Sequence, residues 1–300
     1  MKGRAASSPR LTAKEKAAAL LVRKLYEKRS DKKYHGGKEY TADLKLLDTL
    51  NHQLRELHLK ESKMPKKENL SVKQITAWSF SRWAQHSGDA GCPFKAKLKF
   101  IDKRLEPTAP AMARGAEIHQ LAQTALEKPK TKVPKELATV KGAVDRLRKL
   151  KAQAELELCL TRAWAKTWWF DANAWLRIKI DAIAGRDKAH RVVEVVDWKT
   201  GKYKPDNKEY ALQLELYGAG VLAAYPHVEE VHAALVFTDH PQRDAPPAAA
   251  TFGRKDLPRL VKAWEGRVRP VLADTRFAPR PGWYCRYCHF RKENGGPCKF

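Results

Sequence analysis

Asp197 and Lys199 stand two positions apart at the end of the run Val192-Val193-Glu194-Val195-Val196-Asp197-Trp198-Lys199, just before Thr200-Gly201. Four valines around one glutamate predict a buried β-strand, and the glycine after it predicts a turn. Side chains at i and i+2 of a strand share a face, so this carboxylate and ammonium project to one side at the strand's end. Together they have a specific chemical use. The carboxylate can hold a hard divalent cation through oxygen, while the lysine, a point charge on a flexible stem, can reach a water or a phosphate oxygen beside that cation. The bland alternative is a surface ion pair at a strand end, worth little.

A second carboxylate would complete an oxygen shell. Asp181 is the candidate: it closes a second apolar strand predicted over Ala174 to Ile183, and a short turn around Gly185 returns the chain antiparallel. Upstream, in Arg114-Gly115-Ala116-Glu117-Ile118-His119, Gly115 and His119 lie one turn apart on a helix begun by Pro110. Downstream, Tyr210, Gln213 and Tyr217 fall at i, i+3 and i+7 on one face of the next helix. Taken singly, His119 reads as a satisfied helix histidine and Tyr217 as a core aromatic. Their joint order carries the information.

That order, helix with Gly-x-x-x-His, strands, Asp, strand with Asp-x-Lys, helix with Gln-x-x-x-Tyr, strand, resembles the PD-(D/E)XK nuclease superfamily. Within it the chain is similar to the RecB-like branch: the nuclease domains of RecB and AddB and the RecB-like nucleases of CRISPR adaptation. The resemblance runs from about Ser71 to the C-terminus. It implies an α/β fold with an αβββαβ core, a mixed sheet flanked by helices. It also implies roles: His119, Asp181 and Asp197 as ligands of Mg²⁺ or Mn²⁺, Lys199 as the residue that orients or activates water, and Gln213 and Tyr217 against the site and substrate. Asp197 stands where many relatives have Glu, which keeps the ligand type and shortens its reach by one methylene. The activity implied is a metal-dependent deoxyribonuclease, an exonuclease, serving recombination, repair or replication beside a helicase or a single-strand annealing or binding protein. A catalytically idle DNA-binding or scaffold subunit, or a nuclease acting on RNA, would share the pattern.

Composition agrees with a polyanionic partner. The 300 residues carry 59 Lys and Arg against 34 acids, a formal net charge of +25. Such a field attracts phosphate chains and makes binding salt-sensitive. No apolar run is long enough for a membrane span, and the N-terminus lacks a signal-peptide core, which points to the cytosol, the nucleoid or a viral protein in the host cytoplasm. Lys95 and Lys97, then Arg114, then Lys202 and Lys204 in the Lys-rich turn after Gly201, are candidate phosphate contacts, with a solvated basic face as the simple alternative.

Residues 1–70 read as a separate basic appendage, with 18 Lys and Arg against nine acids and no strand-like run. An αα-hairpin is predicted, its first helix capped at Thr12 and running to about Lys28, broken at Gly36-Gly37, its second starting near Thr41 and carrying a Leu47, Leu50, Leu54, Leu57 stripe. The nuclease domain is expected over 71–300. It opens with a helix capped by Ser71-x-x-Gln74 and continuing through Ile75, Trp78 and Arg82 to a loop at Ser87. A further helix holds Val140, Val144 and Leu147, and from Glu155 the period shortens to two as Leu156, Leu158 and Leu160 alternate with polar residues. Of Trp164, Trp168, Trp169, Phe170 and Trp175, most should be core and one or two could stack on unpaired bases.

The last stretch, 281–300, crowds Cys285, Cys288 and Cys298 into a Pro/Gly-rich tail. A Cys-x-x-Cys loop offers two thiolates to one metal. With Cys92, the set resembles the four-cysteine pattern of AddB and related nucleases, which implies a [4Fe–4S] cluster stapling the tail to the start of the domain. Zinc, with His289 as a substitute ligand, and plain thiols are the alternatives.

Overall fold

A computed structural model describes residues 75, 77–107, 109–240, 246 and 248–300. The hairpin, leucine stripe and Ser71 cap read from the sequence lie outside the described residues, which belong to the unit Val72–Phe300. Six strands form one mixed sheet: β1 (Gln153–Leu160), β2 (Lys166–Thr167), β3 (Leu176–Gly185), β4 (Val192–Lys199), β5 (Glu230–Phe237) and β6 (Ala248–Gly253), in the order β2-β1-β3-β4-β5-β6. Neighbours are antiparallel except β4 and β5, which run parallel and are joined by helix α5 (Lys208–Ala224). A parallel pair needs such a crossover.

Helices cover both faces. One face packs against α1 (Phe80–Ser87), α5 and α6 (Leu257–Ala273), through Trp83, Leu214 and Trp264 among others. The opposite face packs against α3 (Pro110–Glu127), a 3₁₀ turn at Lys135–Val140 and α4 (Lys141–Lys149), through Ile118, Leu137 and Leu147. The α5 face rests on close approach. A Cβ at Gly218 would lie 2.5 Å from Phe252 and one at Gly220 2.3 Å from Ile178, so these glycines let the helix settle onto the sheet. Trp264, fully buried, stacks on Trp78 at 5.5 Å and meets Trp83 edge-on at 5.4 Å. Loss of such an indole costs about 3–5 kcal/mol.

Several expectations are corrected here. The first helix begins at Phe80, not upstream, because the Ser79 hydroxyl accepts the Arg82 N–H and caps it. Trp78 instead bridges to Leu176 in parallel, giving its N–H to Trp175 and accepting from Arg177. β3 runs on to Gly185, so Asp181 sits mid-strand and does not close it; the reversal is made by 186–191, where Asp187 accepts the Val192 N–H at 2.9 Å. The final strand β6 and helix α6 extend the core beyond the αβββαβ set. Trp164 and Trp175 are core, whereas Trp168, Trp169 and Phe170 are half-buried, with Arg177 over the Trp169 ring.

The sheet changes phase at one level. Leu176, Ile178 and Ile180 of β3 pack under α5, yet Ala182 and Ala184 pack on the α3 side. On β1, Leu156 and Leu158 face α5 while Ala154 faces α3. Strict alternation would keep all even positions on one face. The inversion falls at Asp181 on β3 and Glu155 on β1, which lie opposite each other between the pairs Ala154↔Ala182 and Leu156↔Ile180. Glu155 carries the backbone irregularity, with φ of 51°.

Candidate active site

Asp197 projects toward α5 and is only 4% exposed. The helix face predicted from Gln213 and Tyr217 meets it: Gln213 Nε2 donates to Asp197 Oδ1 at 3.0 Å and to the Tyr217 hydroxyl at 2.9 Å, and that hydroxyl donates to the same Oδ1. Lys199 Nζ lies 2.6 Å from Asp197 Oδ2, an ion pair whose alignment leaves that buried oxygen without a hydrogen bond. One carboxylate oxygen is therefore held by two donors, and the other is paired with the Lys199 ammonium.

Asp181 on β3 comes beside it, 6% exposed. Its Oδ2 accepts the Trp198 N–H at 2.8 Å, which ties the two central strands together at the site, and its Oδ1 faces His119 Nδ1 at 3.2 Å. Helix α3 supplies His119 from the opposite layer, so the site forms where the two helical layers meet across the sheet's change of phase. Gly115 lies on the same helix near the strand end, its Cβ position 3.7 Å from the Thr200 hydroxyl. All six predicted residues, His119, Asp181, Asp197, Lys199, Gln213 and Tyr217, come into this one constellation.

Electrostatics show what the constellation lacks. Burial first, then the neighbouring Asp197 charge, push the Asp181 carboxyl above its ordinary value, against the pull of His119 and the Trp198 N–H. His119 is raised, chiefly by its hydrogen bond to Asp181. Tyr217 is held well above the usual phenol range by burial and by Asp197, so it stays a neutral donor. Two desolvated carboxylates this close call for positive charge. A hard divalent ion fits the donors present: carboxylate oxygens, one imidazole nitrogen, and a buried Asp197 oxygen with no hydrogen bond.

Two neighbours escaped the sequence reading. Glu155 offers a third carboxylate: ligand atoms of His119, Glu155 and Asp181 all lie within 4.8 Å of one another, the one such trio among the described residues. In the sequence it was one of two glutamates in an alternating strand, with nothing to separate it from Glu157. Asp239, just after β5, accepts both guanidinium nitrogens of Arg114 and the Gly201 N–H at 2.7 Å. The polar Thr238-Asp239-His240 ending of an apolar strand was the signal available for it.

The basic candidates divide into two groups. Lys95 pairs with Glu106 at 2.8 Å, Lys97 with Asp102 at 2.6 Å and Arg114 with Asp239, whereas Lys202 and Lys204 are exposed on the turn between Gly201 and α5. The four predicted thiols line a separate cavity of about 200 Å³, walled also by Phe94, Tyr284 and Phe290. None is in a disulfide, and the Arg280 and Gly282 N–H groups point at Cys92 Sγ (3.4 Å) and Cys285 Sγ (3.3 Å). Sulfurs that accept backbone N–H groups suit thiolate ligands of a metal centre.

A sequence profile of the PD-(D/E)XK nuclease superfamily matches residues 77–292. The chain belongs to that superfamily, and its fold is the corresponding mixed sheet flanked by helices. The class is one of phosphodiester hydrolases that use divalent metal ions. Among solved structures, a protein from Eubacterium rectale whose name proposes an exonuclease is 14% identical, with 71% of this chain and 88% of that chain covered and a TM-score of 0.41. Another, named SSO0001, is 16% identical, with 81% and 94% covered and a TM-score of 0.35. A comparison with curated proteins finds no significant match. No helix among the described residues is long and apolar enough to cross a membrane.

Proposed function

We propose that this protein is a Mg²⁺- or Mn²⁺-dependent deoxyribonuclease of the RecB-like kind, working as an exonuclease on DNA ends. One observation carries the metal-dependent reading: Asp181 and Asp197 are buried side by side at the ends of two hydrogen-bond networks, with His119 against one carboxylate and Lys199 against the other. A purely binding subunit has little use for buried carboxylates that would repel phosphate. The exonuclease mode and the DNA substrate are taken from the RecB-like order of motifs and from the +25 charge.

Asp181, Asp197 and His119, with a backbone carbonyl after Asp197, would hold the ion. When bound, it acidifies a water and offsets charge on the phosphate. Lys199 orients that water and meets a phosphate oxygen. Gln213 and Tyr217 fix the Asp197 carboxylate so that the oxygen beside Lys199 does not rotate away, and Lys202 and Lys204 draw in the backbone of the strand to be cut. Cys92, Cys285, Cys288 and Cys298 would hold a [4Fe–4S] cluster that fastens the tail, a structural role apart from hydrolysis. These 300 residues hold no Walker-type phosphate loop, so ATP-driven unwinding, in recombination, repair or replication, would not come from them.

The test is cleavage of end-labelled linear and circular DNA by anaerobically purified protein, with Mg²⁺, with Mn²⁺ and with EDTA, alongside RNA. Metal-dependent loss of linear DNA alone is expected, and Asp197→Ala and Lys199→Ala, each with wild-type circular dichroism, are expected to lower the rate by about 10³-fold or more, the scale of several kcal/mol of lost transition-state stabilisation. Intact activity in either variant would overturn the assignment. Retention of DNA without cutting under any metal would mark a binding subunit, and cutting of circles an endonuclease.

A further inference from the structure

Most of the basic side chains considered so far are answered by acids. On the helix Pro93–Phe100, Lys95 and Lys99 pair with Glu106 and Lys97 pairs with Asp102, while Arg114 is held by Asp239. Arg82, Lys103 and Arg177 differ: none of them forms an ion pair with a carboxylate among the described residues. The Arg82 guanidinium donates to the Ala77 carbonyl and lies 5.4 Å from the centre of the Phe100 ring. Arg177 donates to the Trp169 carbonyl at 3.0 Å and lies 5.7 Å from the centre of that indole. Carbonyls and ring faces hold a cation in place but leave its charge standing. The three also crowd one another. Arg82 is pushed below its ordinary value by burial first and by Arg177 next, and Lys103 by burial first and by Arg82 next, with no carboxylate offsetting either. Like charges gathered in this way are relieved when an anion joins them.

The cluster is joined to the strand that carries Asp181. Leu176, Ile178 and Ile180 of β3 pack under α5, so Arg177 and Lys179 take the opposite side, the side on which Asp181 turns its Oδ1 to His119. Lys179 is answered by Glu155, Glu157 lies across from it on β1, and Asp171 accepts from the Thr167 hydroxyl. Unanswered positive charge therefore collects beyond Lys179, at the end of β3 away from Asp181. There the segment after β2 brings Trp168, Trp169 and Phe170, all half-buried, with Trp168 and Phe170 edge to face at 5.6 Å.

Resting on the nuclease reading above, we propose that Arg82, Lys103, Arg177 and Trp169 form a track for a single strand of DNA leading to the carboxylate site, the cations taking backbone phosphates and the indole taking a base. A charged groove with aromatic rings along it holds unpaired strands with little regard to sequence. A duplex keeps its base faces in the stack, so an indole reaches one only where the strand is unpaired. Arg177 is four residues from Asp181, about 13 Å at strand spacing, which is about four nucleotides of a stacked strand. The track therefore grips the strand at a distance from the reacting phosphate, and its members are positioning residues. The competing role is packing of Arg82 on Phe100 and of Arg177 on Trp169. Packing leaves Lys103 unexplained, since it lies over no ring among the described residues and adds a cation beside Arg82.

The experiment is fluorescence anisotropy of end-labelled single strands and blunt duplexes with the full chain, over a series of salt concentrations, with EDTA present so that binding is read without cutting. Arg82→Gln combined with Lys103→Gln keeps a donor for the Ala77 carbonyl and removes two charges. It should make the slope of log affinity against log salt shallower by about 1.4, at about 0.7 for each single-strand phosphate contact, and the exposed Lys103→Gln alone by about 0.7. Trp169→Ala should weaken single-strand binding about fivefold to a hundredfold with the slope unchanged, and the loss should vanish on an abasic strand, which has phosphates but no bases. Duplex binding should change less than single-strand binding in every variant. With metal present, KM for single strands should rise while kcat holds. A wild-type slope in both Lys103 variants, a Trp169→Ala loss equally large on the abasic strand, or losses equally large on duplex would overturn this inference and leave the nuclease reading standing. Binding differences as expected in a wild type that cuts nothing with any metal would overturn the nuclease reading and leave the track.

Discussion

The carboxylate site and the cysteine cavity both gather residues from distant parts of the chain, but they are held in opposite ways. Asp181 and Asp197 sit on the two central strands, His119 and Gln213 on helices packed to opposite faces, and every one of those elements is fixed by ladders or core contacts. In the cavity, Cys92 precedes α2 (Pro93–Phe100), Cys285 and Cys288 share one 3₁₀ turn, and Cys298 is placed by an isolated bridge to Arg291. The tail is tied back chiefly by Arg280, whose guanidinium donates to the carbonyls of Gly88 and Gly91, and Trp283 and Tyr287 stay exposed. The fold prepares the first site before any ion arrives. The second has little core of its own, and under the cluster proposal it would depend on the metal its thiols hold.

The largest test of that contrast is to remove two thiols. Cys285→Ser with Cys288→Ser is expected to make 278–300 at least about tenfold more susceptible to limited proteolysis, because Phe290 is the one buried side chain that opposes local opening there. The midpoint of urea unfolding for the remaining domain should change little. Wild type purified without oxygen should show the broad visible absorbance of an iron–sulfur cluster, absent from the double variant. A colourless wild type that releases zinc would reassign the ligand. Collapse of the whole domain's unfolding transition would break the comparison itself, by showing that the tail supports the sheet.

A smaller effect probes the prepared site. Tyr217→Phe removes one donor to Asp197 Oδ1 and leaves Gln213 as the other. A hydrogen bond to a charged group is worth about 1.5–3 kcal/mol, which sets the expected loss in kcat/KM at limiting Mn²⁺ at about tenfold to a hundredfold. Stability should fall less than activity, since the ring keeps its place in the core. A variant that unfolds easily yet cuts at the wild-type rate would show that the network serves packing and not the carboxylate's orientation.

How far the sequence could see follows the same division. Strand alternation placed Asp197 and Lys199 on one side and helical spacing placed Gln213 and Tyr217 on one face, while the resemblance of the whole order to the PD-(D/E)XK pattern implied that His119 and Asp181 join them. Local rules suffice where each residue's direction is set by its own element. Glu155 was invisible because its direction depends on a backbone conformation that no spacing reports. The start of α1 was misplaced because a strand-like bridge from Trp78 to Leu176 outweighed a helical pattern, and that bridge joins residues almost a hundred positions apart. The partner of Arg114 was out of reach for a similar reason: Asp239 lies 125 residues away. Cysteine spacing grouped the thiols of the tail, and the resemblance to the four-cysteine pattern implied that Cys92 joins them, but neither foretold the Arg280 anchor that carries the tail to Cys92.

Asp239 gives the smallest and most discriminating prediction. Its hydrogen bonds from Arg114, then from the Gly201 N–H, hold the carboxyl at about 2 against an ordinary 3.8. A folded value below the unfolded one means stabilisation that is complete above about pH 4 and is lost as pH falls through about 2. Arg114 and Asp239 are 52% and 26% exposed, so screening keeps the contribution below about 1 kcal/mol. The difference in unfolding free energy between wild type and Asp239→Asn should therefore be small at pH 5, shrink between pH 4 and 2, and shrink also at 1 M salt. The same substitution loosens the Gly201 turn two residues past Lys199, so a modest rise in KM for DNA at neutral pH should accompany it. A difference that persists at pH 2 and in salt would mean that Asp239 acts by filling space between α3 and the strand ends. The catalytic strand would then be braced by packing alone, with no charge needed at its end.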